Sequence, residues 1–548
     1  MFYDDLVALS VENIALNCQS IAKSLLTLYN YQAVYKRQAI PNQPIVHMIK
    51  KVLVANRGEI AVRIIRSCRE LGLRTVAVYS DADRKAMHVM YADEAYHIGG
   101  APSVESYLNM DNILAAARVS GADAIHPGYG FLSENATFSL RCQEEGIKFI
   151  GPSPYAISKM GDKITARKTM MEAGVPVVPG TPDKITSEEE ALRVIREIGL
   201  PVMVKASAGG GGKGMRLVMH ENDIKSGLRA ARSEARSAFG DDSVFIEKYI
   251  QSPHHIEYQI LADQHGQVIH LFERECSVQR RHQKIIEETP SPILTSVKRH
   301  EMGQHAIAAA KAVSYEGAGT IEFIVDKDLN YYFLEMNTRL QVEHPITERV
   351  VGVDLVKEQI NIANGKPLTY KQENLRQNGH AIEFRVYAED PNNNFMPAPG
   401  TVTHIAIPYG VGVRVDGYIY EGAEIPIYYD PLIAKLVVWG RNREEAIDRS
   451  HRALQEFRVT GVKNNLKFLE RILKAEDFLK GNYTTHFIDE NRDLLSHEKS
   501  CDDICEDMVI ITAFLEYLEK IEKASPKEMT ALKNNWKDYS RVRSVLKL

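Results

Sequence analysis

Two short runs, Thr320–Val325 and Tyr331–Asn337, alternate apolar and polar residues on either side of the turn-forming segment DKDLN. A period of two flanking a turn admits little besides a β-hairpin, and a reversal centred between Asp328 and Leu329 sets its register. That register puts Glu322 opposite Glu335. Two carboxylates facing each other on neighbouring strands, roughly 5 Å apart, repel unless a cation lies between them. Hard oxygen donors with Asn337 close by suit Mg²⁺ or Mn²⁺. Beyond the hairpin the alternation continues, with Glu335, Asn337, Arg339, Gln341 and Glu343 on one side and Leu334, Met336, Leu340 and Val342 on the other. Fully extended, the five polar groups would span roughly 26 Å, so the chain is expected to bend after Asn337 and wrap them around a small ligand. Arg339 offers a planar fork for an oxyanion, and Glu343 a carboxylate able to take a proton. The plainer alternative is a solvated polar sheet face.

The chain has 548 residues, room for three or four domains. Its formal net charge of -5 leaves no basic footprint for nucleic acid. Cys18, Cys68, Cys142, Cys276, Cys501 and Cys505 show no CxxC spacing, which argues against zinc and against a disulfide framework and fits a reducing cytoplasm. No apolar run reaches the roughly 18 to 20 residues that a membrane span needs. Asp4, Asp5 and Glu12 lie where a targeting peptide would carry basic residues. Met48 directly precedes the strand-like IKKVLVA, so residues 1–47 are expected to be an extension outside the fold.

Lys51–Ala55, Ile60–Leu71 and Leu73–Tyr79 read as a β-α-β unit of Rossmann type, but its first turn lacks the glycine fingerprint of dinucleotide binding. The segment Ala122–Asn135 places a loop after a strand end, equally a surface turn or part of a site. A helix over Ser187–Ile198 and a strand over Pro201–Ala206 lead into AGGGGKGM, Ala208–Met215. Each glycine in an element interior costs roughly 0.5 to 1 kcal/mol against alanine, so this run is a loop. The MRLVM that follows reads as a strand, and Gly214 stands where a phosphate-binding P-loop needs Ser or Thr. A strand–glycine loop–strand lid whose N–H groups close over phosphates remains. Val244–Ile250 is a further strand, and the charged segment Glu273–Glu288 brings Arg280, Arg281, His282 and Lys284 toward anions or else is a solvated face. Strands and turns follow from Gly379, with helices over Glu444–Phe457 and Asn464–Lys474.

The segment EMNTRLQVEHPITE, Glu335–Glu348, resembles the metal and bicarbonate segment of biotin carboxylases, the ATP-grasp subunits or domains of acetyl-CoA, propionyl-CoA and pyruvate carboxylases. The likeness runs from about residue 48 to 490. It implies a mixed α/β and α+β architecture: a Rossmann-like N-terminal domain over 48–160, an ATP-grasp domain over 161–376 with its lid at about 180–248, a C-terminal domain of strands and helices over 377–490, and a helical tail over 491–548. By the same resemblance Lys163, Lys205, Gly211, Gly212, Glu247, Lys248, Ile250, His255 and His282 contact nucleotide, and Glu322, Glu335 and Asn337 hold Mg²⁺ or Mn²⁺. Lys284, Arg339, Gln341 and the Val342 backbone would hold bicarbonate, Glu343 would deprotonate it, and Arg385 in GHAIEFRVYAEDP would face the ureido group of biotin. The implied reaction is ATP-dependent carboxylation of biotin on a carrier protein, with a carboxyltransferase partner choosing the acceptor. The chain shows no Met-Lys-Met biotin attachment signal, so carrier and carboxyltransferase are expected on other chains, in a cytoplasmic homodimer or larger complex. Another ATP-grasp ligase that makes an acyl phosphate, or a regulatory protein that binds nucleotide without turnover, are the competing readings. The pairing of EMNTRLQVEHP with EFRVYAEDP, and the competent residue at every candidate position, argue against them.

Near the C-terminus Ile504, Met508, Ile511, Leu515 and Leu518 recur at helical spacing. Such a stripe is expected to be buried, against its own domain or against a partner, with Trp536 and the basic residues Lys527, Lys533, Lys537, Arg541, Arg543 and Lys547 beyond it.

Overall fold

The computed structural model describes residues 48–181, 184–185, 187–206, 215–240, 242–496 and 504–524. The chain divides into a large compact unit reaching Ile488 and a small one from Asp489 onward.

The large unit begins with β1 (Lys51–Val54), β2 (Arg74–Tyr79), β3 (Glu94–His97), β4 (Ala124–His126) and β5 (Lys148–Phe149), a parallel sheet in the order β3-β2-β1-β4-β5. The helix Gly58–Glu70 joins β1 to β2, and Ile60, Ile64, Ile65 and Cys68 bury the apolar side that the sequence pattern gives it. Strand order reverses at β1, and in open α/β sheets the crevice at such a point receives ligands. Here the loops after β1 and β4 meet: the Asn56 Nδ2 donates to the Pro127 and Tyr129 carbonyls, each at 2.7 Å. Gly128 between them has φ 64°, and a Cβ there would come within 2.9 Å of that amide. Only glycine lets the Ala122–Asn135 loop pack in this way.

A small antiparallel sheet follows, β6 (Val202–Ala206), β7 (Met215–Val218) and β8 (Val244–Lys248), in the order β7-β6-β8. Helices Glu188–Ile198 and Ile224–Phe239 cover it around Ile195, Val204, Leu228 and Ile246. Lys205 pairs with Met215, so β6 and β7 form the hairpin expected on either side of the glycine run. The run itself, with Gly211 and Gly212, lies outside the described residues.

An eight-stranded antiparallel sheet is the centre of the unit. It contains β9 (His254–Ala262), β10 (Val268–Arg280), β11 (Gln283–Thr289), β12 (Gly317–Val325), β13 (Tyr331–Asn337), β14 (His380–Tyr387) and the strands Leu432–Gly440 and Val413–Gly417. Their order is β13-β12-β9-β10-β11-β14, then Leu432–Gly440, then Val413–Gly417. The boundary expected near residue 376 therefore separates strands of one continuous sheet. The helix Ser296–Ala312 packs on it through Met302, Ala306 and Ala309, against Tyr258, Ile260 and Phe323.

The hairpin β12–β13 pairs Glu322 with Glu335, as the alternation predicts, but for a different reason. Toward the turn the pairs are Val325 with Tyr331 and Phe323 with Phe333, a register centred on Asp328 that by itself would set Glu322 against Leu334. A bulge between Phe323 and Glu322 inserts one residue on β13 and restores the carboxylate pair. Leu334 and Glu335 are consequently both exposed, side by side.

In the small unit the helix Ile504–Ala524 carries Met508, Ile511, Leu515 and Leu518 exposed, together with Val509, Ile510, Phe514 and Tyr517. The expected burial of the stripe is not seen, and the apolar residues occupy most of the helix circumference. The side chain of Ile504, Trp536 and the basic residues from Lys527 to Lys547 lie outside the described residues, as do residues 1–47.

Candidate active site

Lys284 on β11 is the hub of the cleft. Its Nζ donates to Glu257 Oε2 at 2.5 Å, to Glu322 Oε1 at 2.8 Å and to Glu343 Oε1 at 2.8 Å. Burial alone would lower this ammonium's pKa; the three carboxylates outweigh it and push it well above the ordinary lysine value. Three donors on one nitrogen match three acceptors from β9, β12 and the loop after β13. The local sequence does not show this convergence, because it depends on the order of strands in the sheet.

After Asn337 the chain leaves the strand, as the reach argument requires, and curls back into the helix His344–Val351. The Arg339 guanidinium donates to Asn337 Oδ1 at 3.0 Å, Gln341 Oε1 at 2.9 Å and Glu134 Oε2 at 2.8 Å. Gln341 Nε2 in turn reaches Glu322 Oε1 at 3.2 Å. Glu343 is fully buried between Lys284 and Arg385 Nη2, 2.8 Å from each. Burial would raise its carboxyl, but Lys284, Arg385 and Arg274 hold it well below the usual carboxylate range. Glu343 is thus an anion, with its proton affinity lowered by the same cations that keep it charged. Arg385 is a buried residue of β14 whose Nε donates to Glu287 Oε1 at 2.6 Å.

Glu322 accepts from Lys284 and Gln341 on Oε1 and meets His255 Nε2 at 2.9 Å on Oε2. Burial lowers the His255 pKa, yet the Glu322 charge more than offsets it and the net shift is upward. Glu335 stands at the open mouth of the cleft. Desolvation by the surrounding protein and the charge of Glu322 push its carboxyl up. Among the described residues no ion pair neutralises Glu335, while Lys163, exposed at the start of the helix Lys163–Glu172, draws its pKa the other way. Glu322 has cationic partners of its own, so the unpaired Glu335 beside it is the oxygen donor left to take a hard divalent cation. The ligand atoms of His255, Glu257 and Glu322 also lie within 4.8 Å of one another, but the Lys284 ammonium already occupies the side that Glu257 and Glu322 share.

The remaining nucleotide candidates lie on the small sheet and its exit. Lys205 Nζ meets Glu247 Oε2 at 2.6 Å, and Arg167 Nη1 meets Glu247 Oε1 at 3.0 Å. Lys248 Nζ donates to the Gly199 and Leu200 carbonyls, so in this state it caps a helix end. Ile250 is half-buried just after β8. His282 is exposed, at φ 67° on the β10–β11 turn. The charged segment around it divides: Lys284 faces the cleft, whereas Arg280 is committed to Glu389 at 2.7 and 3.0 Å and lies over the Phe395 ring, so its expected reach toward an anion is corrected.

Several site residues escaped the sequence reading. Glu134, in the Ala122–Asn135 loop, accepts from the Thr338 backbone N–H at 2.9 Å as well as from Arg339, which makes that loop part of the site. Glu257 sits two residues from His255 on β9, a same-face spacing that carried a usable signal. The wholly buried Arg274 donates to Glu257, Gln259, Thr347 and Thr320, a full set of partners that only the folded sheet reveals.

Against known proteins, residues 48–157 match the family model described as biotin carboxylase, N-terminal domain; 162–371 match the carbamoyl-phosphate synthase L chain, ATP binding domain; and 383–490 match the biotin carboxylase C-terminal domain. The chain is 54% identical over 443 residues to Biotin carboxylase 1 of Bacillus subtilis (strain 168), covering 81% of this chain and 98% of that one. It is 52% identical over 446 residues to the chloroplastic biotin carboxylase of Arabidopsis thaliana, covering 81% and 83%. Among solved structures, the biotin carboxylase domain dimer of Hydrogenobacter thermophilus 2-oxoglutarate carboxylase, in complex with MgADP, ADP and bicarbonate, superposes with a TM-score of 0.79 at 49% identity, over 83% of this chain and 100% of that one. Campylobacter jejuni biotin carboxylase in a β,γ-ATP complex gives 0.78 at 48%, over 81% and 99%.

Proposed function

The chain belongs to the biotin carboxylase family, ATP-dependent ligases that carboxylate biotin with bicarbonate, and we propose that its cleft divides this reaction into two linked activations. The observation that carries the proposal is the buried Glu343 carboxylate, held between Lys284 and Arg385 at 2.8 Å from each.

Bicarbonate is a poor electrophile and the biotin ureido nitrogen a poor nucleophile. In the first activation Arg339, Gln341, the Val342 backbone and Lys284 hold bicarbonate while Glu343 takes its proton. Its freed oxygen attacks the γ-phosphorus of ATP, giving ADP and carboxyphosphate. Lys163, Lys205 and the glycine run with Gly211 and Gly212 meet the phosphates, and Glu247, Lys248, Ile250, His255 and His282 meet the rest of the nucleotide. Glu322, Glu335 and Asn337 would hold Mg²⁺, which supplies neutralisation of the charge spread over the phosphoryl oxygens. In the second activation carboxyphosphate breaks into CO₂ and phosphate, and the phosphate takes the ureido proton. Arg385, with Arg339, stabilises the resulting enolate-like anion until it captures CO₂.

Biotin arrives on a carrier protein, and a carboxyltransferase passes the carboxyl group to acetyl-CoA, propionyl-CoA or pyruvate. A homodimer, like the Hydrogenobacter domain dimer, in the cytoplasm completes the proposal. Among the described residues no helix is long and apolar enough to cross a membrane. The working domain limits are 48–160, 161–376 and 377–490, with residues 491–548 as a tail. The test is ADP release from the purified chain: it should require bicarbonate and Mg²⁺ and rise when free biotin is added. ATP turnover indifferent to biotin would assign the chain to a different ATP-grasp reaction.

A further inference from the structure

One charged side chain in the large unit is buried at a cost and touches the active-site loop at a single point. Lys435, in the apolar strand Leu432–Gly440, has no exposed surface. Its Nζ donates to the Val342 carbonyl at 2.7 Å and lies 3.1 Å from Glu59 Oε1. Glu59 is buried on the helix Gly58–Glu70, and the same Oε1 accepts from the Tyr129 hydroxyl. Desolvating an ammonium and a carboxylate costs several kcal/mol per ion before their attraction is counted, and apolar residues would fill the space at no such cost. The pair makes sense through what it holds.

What it holds is the peptide between Val342 and Glu343. The six atoms of a peptide unit lie in one plane, so a donor fixed on the Val342 oxygen also fixes the Cα from which the Glu343 side chain springs. The preceding carbonyl is held as well: the Gln341 oxygen lies 2.8 Å from His344 Nδ1. Two consecutive peptides on the approach to Glu343 are therefore clamped, one locally and one by Lys435. Because Tyr129 and Glu59 come from the N-terminal parallel-sheet region and Lys435 from the far side of the eight-stranded sheet, three remote segments converge on this plane.

We infer that Lys435, backed by Glu59 and Tyr129, is a positioning residue for bicarbonate activation: it aims the Val342–Glu343 peptide without touching substrate. The inference rests on the role proposed for Glu343. A misplacement of about 1 Å in such a group costs about a hundredfold in rate, so even partial relaxation of the plane is measurable.

Lys435→Met keeps the length of the side chain and removes the clamp, but it leaves Glu59 buried and unpaired. The double variant Lys435→Met/Glu59→Gln removes both charges and guards against unfolding. For the double variant we expect the bicarbonate KM to rise about tenfold or kcat to fall by a similar factor, with the ATP KM within about twofold of the parent and cooperative melting retained. A double variant with unchanged bicarbonate KM and kcat overturns the inference. So does one in which the ATP and bicarbonate constants worsen together alongside lowered melting, which marks a purely structural pair. Glu343→Gln measured in parallel separates the two layers: if it is inactive while the double variant is normal, only the positioning inference fails; if it is fully active, the assignment of Glu343 fails first.

Discussion

Replacing Glu343 by Gln keeps the shape of the side chain and removes its charge and its basicity. The surrounding ion pairs decide what this does to the fold. Lys284 retains Glu257 at 2.5 Å and Glu322 at 2.8 Å, and Arg385 retains Glu287 at 2.6 Å, so no buried cation is stranded. Around this point Glu257, Glu287 and Glu322 remain as partners for Lys284, Arg274 and Arg385, although these cations favour the charge on Glu343 that the substitution removes. Glutamine has one acceptor oxygen and so can keep only one of the two charge-assisted hydrogen bonds, its amide nitrogen facing the other cation, which should cost about 2 kcal/mol of stability, a shift of a few degrees in melting temperature. The chemical effect is larger. A missing general base lowers turnover by about a hundredfold or more, equivalent to about 2.7 kcal/mol of barrier. The nucleotide contacts lie elsewhere, so affinity for ATP should stay nearly unchanged. Bicarbonate-dependent ADP release, measured beside a nucleotide titration and a melting curve, reads all three quantities. Full activity in Glu343→Gln would refute the base assignment; loss of activity together with collapse of the melting transition would refute the charge bookkeeping.

Glu335→Gln should raise the Mg²⁺ concentration for half-maximal rate by about tenfold, about 1.4 kcal/mol of binding, and an unchanged Mg²⁺ titration would remove Glu335 from the metal site. Burial lowers the pKa of His88 to about 4, so its contribution is complete above the unfolded value near 6.5 and is lost as pH falls from there toward 4. That window is worth about 3 kcal/mol, and His88→Gln should show a shallower decline in denaturant stability between pH 7 and 5 than the parent. Deleting residues 1–47, which precede the first family match at residue 48, should leave bicarbonate-dependent ATPase intact; a collapse of activity would give that segment a role. Deleting residues 500–548 should spare carboxylation of free biotin and weaken co-purification with a carboxyltransferase, and equal recovery of the partner would show the exposed apolar helix Ile504–Ala524 to be unnecessary for docking.

The parts of the site legible from sequence are those whose geometry is local. The β12–β13 hairpin and the bend after Asn337 follow from alternation and reach along some thirty consecutive residues, whereas the glutamate pair, though expected, depends on the bulge. The bulge beside Glu322 is not legible, because the turn, closed by the Asp326 N–H to the Asn330 carbonyl at 2.9 Å with Leu329 at φ 60°, takes a register centred on Asp328 that alternation alone does not reveal. Lys284 was visible as a charge, but its three acceptors come from strands whose neighbours are set by long-range pairing. Lys435 was legible in principle: a lone charge in LIAKLVVW has to find a partner once that strand is buried. Arg280 misled because a basic cluster in sequence fans out to opposite sides of a hairpin in space.

Among the described residues the sheet β7-β6-β8 shares no ladder with the eight-stranded sheet. The chain enters it past a single bridge, Val177 to Phe333, whose amide donates to the Pro176 carbonyl at 2.7 Å, and leaves it through the short connection from β8 to β9. With the Arg167–Glu247 ion pair these crossings are few ties, and we expect the small sheet to open as its own unit of local unfolding. In deuterated water its amides should exchange through openings that leave β9 to β14 closed, and a nucleotide gripped by both sheets should slow exchange in the small one while barely changing the large. The isotope pattern would thus report occupancy of the cleft without any turnover taking place.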